Sequence, residues 1–178
     1  MDYMLLKNPS DIDITEKLSL NLDVGIRSYV ENDLDYLQWA GATEYRSVFI
    51  DTYQRYLKNE VKMLIAEINK LPVGLLWIDV NNKASEGVGI FYALQVMWIL
   101  RSKGIGTYLI SSGIEILRQE GFGMVELAVK KDNLRAKKLY ESLGFRVIKD
   151  EVSVWEYTDP KGVLKKVSED VWVMRKRV

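Results

Sequence analysis

The stretch LQVMWILRSKGIGTYL, residues 94–109, joins an apolar run to an amphipathic one through a turn carrying Arg101, Gly104 and Gly106. Two glycines at a strand-to-helix junction mean that the backbone comes close to something. A Walker loop needs glycine, four residues, then Gly-Lys-Ser/Thr, and that spacing is absent. The dinucleotide fingerprint needs a third glycine where Leu109 stands, which argues against NAD or FAD. Backbone N–H groups opening the next helix lack helical partners and sit at the positive end of its dipole. The turn therefore either cradles a pyrophosphate, with Arg101 and Lys103 adding charge, or is only a tight turn with a packing point.

Working outward, residues 86–100 read as one long strand, apolar on both faces and so placed inside a sheet. Residues 61–68 and 71–80 form a hairpin around Asn69-Lys70, preceded by a short strand at 24–30. Residues 31–60 have helical spacing with a break near Gly41, which predicts two helices. After the turn, Ile105, Tyr108, Leu109, Ser112, Gly113, Ile116 and Leu117 trace one helix face. Ser112 and Gly113 would let that helix approach the sheet closely. Residues 124–130 are a strand. Asn133 caps a short helix with the face Ala136, Leu139, Tyr140 and Leu143, and Gly144 ends it. Strands at 146–157 and 171–178 close the chain around a TDPKG turn, with a hairpin over 155–168. The order β, α, α, β, β, β, α, β, α, β, β predicts an α/β (α+β) domain with a mixed sheet of about seven strands and about four helices. Residues 1–178 are read as a single domain, with residues 1–21 as an N-terminal arm.

Composition narrows the chemistry. The chain has 25 basic and 25 acidic residues, so general attraction to nucleic acid or anionic membrane is not expected. It has neither cysteine nor histidine, which removes thiol nucleophiles, histidine triads and Cys/His zinc sites. No metal is expected. No signal peptide or membrane-spanning run is apparent, and a cytoplasmic location is the expectation.

The joint pattern Arg101, Gly104, Gly106, then Asn133, Tyr140 and Leu143-Gly144-Phe145, resembles the GCN5-related N-acetyltransferase (GNAT) family. The likeness is close over about residues 88–146, and the element order agrees over nearly the whole chain. It implies a sheet whose fourth and fifth strands splay apart, with acetyl-CoA as cosubstrate in the cleft. Carried over by position, Val96, Met97 and Trp98 would offer backbone groups to the pantetheine arm and acetyl carbonyl. Backbone amides of Arg101, Ser102, Lys103, Gly104, Ile105, Gly106 and Thr107 would hold the pyrophosphate. Asn133 would contact pantetheine, and Tyr140 would point its hydroxyl at the CoA sulfur. Trp98 departs from the proline that many members carry.

The implied reaction is acetyl transfer to a primary amine by direct attack in a ternary complex. A lysine-type amine is mostly protonated at neutral pH, so a base must take its proton. Tyr140 suits the donor that protonates the leaving thiolate. The positions where relatives carry a catalytic carboxylate hold Ile90 and Ala128 here. Glu86 and Glu126 share strand faces with them by the two-residue repeat and are the candidate bases, beside a water chain. The acceptor is a small-molecule or peptide amine, and the final hairpin with Trp155, Tyr157 and Trp172 either caps the cleft or forms a homodimer edge. Two alternatives stand beside the enzyme: an acyl-CoA-binding module without catalysis, and a nucleotide-binding or structural domain.

Overall fold

The computed structural model describes residues 21–178, so nearly all of the expected N-terminal arm lies outside the described residues. Among these residues seven strands form one sheet in the order β1-β2-β3-β4-β5-β7-β6. They are β1 (Gly25–Ser28), β2 (Val61–Ile68), β3 (Leu71–Asp79), β4 (Val88–Val96), β5 (Met124–Lys130), β6 (Arg146–Thr158) and β7 (Leu164–Arg177). Three α-helices accompany them: α1 (Arg46–Leu57), α2 (Ile105–Gln119) and α3 (Leu134–Ser142). All strand pairs are antiparallel except β4 and β5, which run parallel. The α2 crossover makes that pairing possible, since parallel neighbours need a long connection.

The hairpin between β2 and β3 turns at Asn69 and Lys70, both at positive φ (51° and 68°), as a tight two-residue loop requires. Two cores lie on opposite faces of the sheet. One packs Ile105, Leu109, Ile110 and Leu117 of α2 against Leu76, Ile78, Phe91 and Val125. The other packs Phe49 of α1 with Leu37, Ile65, Leu75 and Trp77.

Several expectations are corrected. Residues 31–60 hold only one α-helix, because Glu31–Tyr36 and Gln38–Ala40 are 3-10 turns and Gly41 ends the second at φ 81°. Here Asp33, not an apolar stripe, organises the chain: its carboxylate accepts from the Val30 N–H and from Arg27. The long run at 86–100 is shorter as a strand. Glu86 sits in the 3-10 turn Ala84–Glu86, and Trp98–Leu100 form another beyond the strand. Glu86 therefore shares no strand face with Ile90. On α2, Tyr108 is exposed, and Ile110 and Ile114 are buried in its place. The final hairpin is longer than its apolar patterning suggests, since β7 begins at Leu164 and the turn is only 159–163. Asp159 closes that turn by accepting from the Lys161 and Val163 N–H groups, each at 2.9 Å.

Close packing on α2 depends on Gly113. A Cβ there would lie 2.8 Å from Phe91 Cζ and 3.0 Å from Leu76 Cδ2, so the helix can approach the sheet only without one.

Candidate active site

The sheet opens where β4 and β5 part. Ladder pairing joins Val88–Phe91 to Met124–Leu127 and then stops, although β4 runs on to Val96 and β5 to Lys130. Just past the last pair, Ala93 takes a positive φ of 52°, and the β3–β4 register shifts between Leu75 and Trp77. This bulge turns the rest of β4 away from β5. The result is a V whose closed end is paired and whose open end faces α2, α3 and the β6–β7 hairpin.

Two cavities meet in the V. The smaller, about 470 Å³, is lined by Val96, Arg101, Ser102, Gly104, Gly106, Thr107 and Arg135 on its outer part. The larger, about 710 Å³, lies on the α1 side among Tyr45, Phe49, Trp77, Tyr92, Trp155 and neighbours. Leu94, Gln95, Asn133, Ala136 and Tyr140 line both.

The glycine turn separates its two roles by position. Gly104, the N-cap of α2, adopts φ 88°, a left-handed conformation that explains glycine without any ligand. Gly106 lies in the first turn of the helix, and among the described residues a Cβ there would meet only Val96 Cγ2, at 3.8 Å. That is ordinary contact, so protein packing does not account for glycine at 106. The space beside it opens into the smaller cavity. Arg101 Nε donates to the Val96 carbonyl at 3.0 Å, and Arg135 Nη2 donates to Ser102 Oγ at 2.6 Å, which ties α3 to the turn. Met97 and Trp98 line neither cavity. The Met97 N–H donates to the Val73 carbonyl at 2.8 Å, and Trp98 is 73% exposed. Lys103 is exposed outside both cavities, and Ile105 is buried in the core, so only the backbone of these two residues is available to the turn.

Asn133 caps α3, its Oδ1 accepting from the Ala136 N–H at 3.1 Å, and its place in both cavity walls follows from that cap. Tyr140, one and a half turns into α3, is held edge-on to Phe145 with ring centroids 5.9 Å apart. Burial pushes its pKa up to about 12, so the phenol stays protonated at neutral pH and is a proton donor.

The two glutamates named from sequence are not brought to the V. Glu126 is 3% exposed at the closed end, beside Ile90. It accepts from Lys83 Nζ at 2.6 Å and from Arg175 Nε at 2.7 Å. Burial works to raise its pKa, but the bonds from Lys83 and Arg175 outweigh it and hold the carboxyl below its usual range. Glu86 is exposed on its 3-10 turn. The sequence reading missed Glu169 of β7, whose carboxylate pairs with Lys130 in the wall of the larger cavity. Its signal was out of reach, because residues 164–170 were not read as a strand.

The lysine cluster of the second crossover is largely ion-paired. Lys130 pairs with Glu169, Lys131 with Asp150 and Lys137 with Glu141. Among the described residues no group of acidic side chains could hold a metal ion, and no helix is long and apolar enough to cross a membrane.

Residues 28–145 match the acetyltransferase (GNAT) family. The chain belongs to that family. An uncharacterized N-acetyltransferase of Methanocaldococcus jannaschii is 30% identical over 144 residues, covering 73% of this chain and 63% of its own. A mycothiol acetyltransferase of Corynebacterium diphtheriae is 30% identical over 101 residues, covering 56% of this chain and 33% of its own. The chain thus spans less than two thirds of either relative. Among solved structures, the ribosomal-protein-S18-alanine N-acetyltransferase of Escherichia coli superposes with a TM-score of 0.67 at 19% identity, covering 88% of this chain and 94% of that one. An N-acetyltransferase of Staphylococcus aureus gives 0.69 at 15% identity, over 87% and 98%. These likenesses establish the fold. GNAT membership makes acetyl-CoA the implied cosubstrate, and the open space at Gly106 fits a group approaching the α2 backbone.

Proposed function

We propose that this GNAT protein transfers the acetyl group of acetyl-CoA to a primary amine by direct attack, with both substrates bound in the V. The observation that carries this reading is the meeting of two cavities at Gln95, Asn133 and Tyr140. One has a helix N-terminus and an open glycine at its wall, and suits the pyrophosphate and pantetheine arm. The other is largely apolar and suits the acceptor. Acetyl-CoA supplies an activated thioester. The backbone from Arg101 to Thr107 would hold the phosphates, with the α2 dipole and Arg101 favouring their charge. Val96 backbone near the bulge would orient the acetyl carbonyl, and Asn133 would border the pantetheine. Tyr140, protonated at working pH, would donate to the departing sulfur. The chain holds no cysteine, so no cysteinyl acetyl-enzyme lies on the route.

Acetyl-CoA titration of wild type and Gly106→Trp by calorimetry tests the site. The indole is expected to fill the smaller cavity and weaken binding at least about a hundredfold, the equivalent of roughly 3 kcal/mol. Unchanged affinity would place the cosubstrate elsewhere. Isoleucine at 90 and alanine at 128 favour a second reading, an acyl-CoA-binding module. Tight acetyl-CoA binding with no thiol release across an amine panel would select it.

A further inference from the structure

The acceptor cavity shows which amines it can take. Its walls are mainly apolar and aromatic, and the β6–β7 hairpin forms one of them. Tyr45 packs against Trp155 and Tyr157 at centroid distances of 5.8 and 4.8 Å. Ser47 Oγ both donates to the Thr158 carbonyl and accepts its N–H, each at 3.1 Å, and Tyr157 Oη donates to Glu44 Oε1 at 3.1 Å. These three contacts fix the hairpin as one wall of the cavity.

Charge inside the cavity is sparse. Among the described residues two carboxylates contribute to its wall, Glu156 and Glu169. Along β6, residues 153, 155 and 157 are the less exposed positions while Glu156 is exposed, so its side chain points to the other face. Glu169 lies on the inward row of β7 with Val167 and Val171. Its side chain is 19% exposed and its ion-pair partner, Lys130, is 54% exposed. A single inward carboxylate in an apolar wall, already holding a primary ammonium, is a site for one cation. The lysine is its resident occupant.

Resting on the acetyltransferase reading, we infer that Glu169 anchors the ammonium of the acceptor, displacing Lys130, and that the acceptor is a monoamine with an apolar or aromatic body. A polyamine would bring further cations to a wall that has no second inward carboxylate among the described residues. Glu169 is a specificity and positioning residue. It captures the amine in its charged form; the ammonium then gives its proton to solvent water, and the freed amine, its carbon skeleton aligned along the aromatic wall, attacks the thioester.

The test is steady-state thiol release with acetyl-CoA and three acceptors: phenethylamine, phenylalanine and spermidine. Phenethylamine is expected to have the highest kcat/KM. Glu169→Gln should raise its KM about tenfold or more, the usual scale for losing a hydrogen bond to a charged group, with kcat changed much less. Lys130→Met should lower that KM by removing the resident competitor. A purely structural ion pair would be weakened alike by both substitutions, so KM shifts of the same sign overturn the inference. So does a preference for spermidine, or a preference for phenylalanine that Lys130→Met abolishes, which would mean that the pair reads a zwitterion. Acetyl-CoA binding measured on the same variants separates the two levels. Retained binding and turnover with the wrong acceptor preference removes only the acceptor assignment, whereas no transfer to any amine removes the acetyltransferase reading with it.

Discussion

The two ends of the β4–β5 pair are built from the same strands and do opposite things. At the closed end side chains are locked into the fold: Gly89 lies under Leu117, where a Cβ would come within 2.4 Å of the leucine, and Glu126 is held by Lys83 and Arg175. At the open end the bulge at Ala93 ends the pairing, Gly106 faces open space, and Tyr140 has a raised pKa and lines both cavities. Glu126 at the closed end is tied to two cations of the fold, whereas Tyr140 at the open end lines both cavities. A perturbed carboxylate is therefore a poor guide to the site here, since the most enclosed glutamate of β5 belongs to the closed end.

Substitutions at each end should sort accordingly. The largest effect is expected from Tyr140→Phe, which removes the proposed donor while keeping the ring against Phe145. Turnover should fall by about a hundredfold with melting temperature nearly unchanged, as removal of a general acid usually does. Because Tyr140 titrates only near pH 12, wild type should show no loss of rate from its ionisation between pH 7 and pH 10, where a pH–rate profile is readily measured. An unchanged rate in the variant would dissolve the distinction between the ends at this residue.

Next comes Gly113→Val, on the α2 face over the sheet. Its added carbons meet Phe91, Leu76 and Ile78, and overpacking of this kind destabilises by about 1–3 kcal/mol, read from denaturant unfolding.

Glu126→Gln should cost less, about 1–2 kcal/mol, because partly exposed Lys83 and Arg175 can turn to solvent. The folded-state pKa of Glu126 lies below its unfolded value, so its contribution is present above pH 4.5 and is lost as pH falls through the folded value. The variant should flatten this acid limb of the stability curve, and turnover per folded molecule at neutral pH should stay within about threefold of wild type, a shift below 1 kcal/mol. A total loss of turnover would return Glu126 to the chemistry.

Smallest is Gly106→Ala, which adds a methyl group in open space and a better helix former. It should stabilise the unliganded protein by up to about 1 kcal/mol while weakening acetyl-CoA binding. Gain in stability with loss of affinity at one residue would mark a glycine kept for a ligand.

Most of the architecture was legible before any coordinates. Alternation and turn chemistry placed β2, β3 and β5, and the spacing of Arg101, Gly104, Gly106, Asn133 and Tyr140 pointed to one cleft. Three regions resisted, each for a physical reason. Residues 31–40 fold around buried Asp33 and its partner Arg27, and a carboxylate paired with a guanidinium of the preceding strand leaves no periodic trace. Residues 164–170, Leu-Lys-Lys-Val-Ser-Glu-Asp, are mostly polar and lack a regular two-residue alternation, so they read as loop until strand β6 supplies their partner. The closed and open ends of the V look alike in sequence, because whether a strand pair stays together depends on register and a bulge set across the sheet.

The sequence by itself determined the family pattern, the chemistry excluded by absent cysteine and histidine, and the turn that opens α2. Local rules suffice there, since caps, turns and missing side chains act within a few residues. Only the tertiary structure decided that Gly106 faces open space, that Glu126 belongs to the scaffold, and that Glu169 faces the acceptor cavity. Those are questions of which side chain meets which across strands far apart in the chain, and long-range pairing alone answers them.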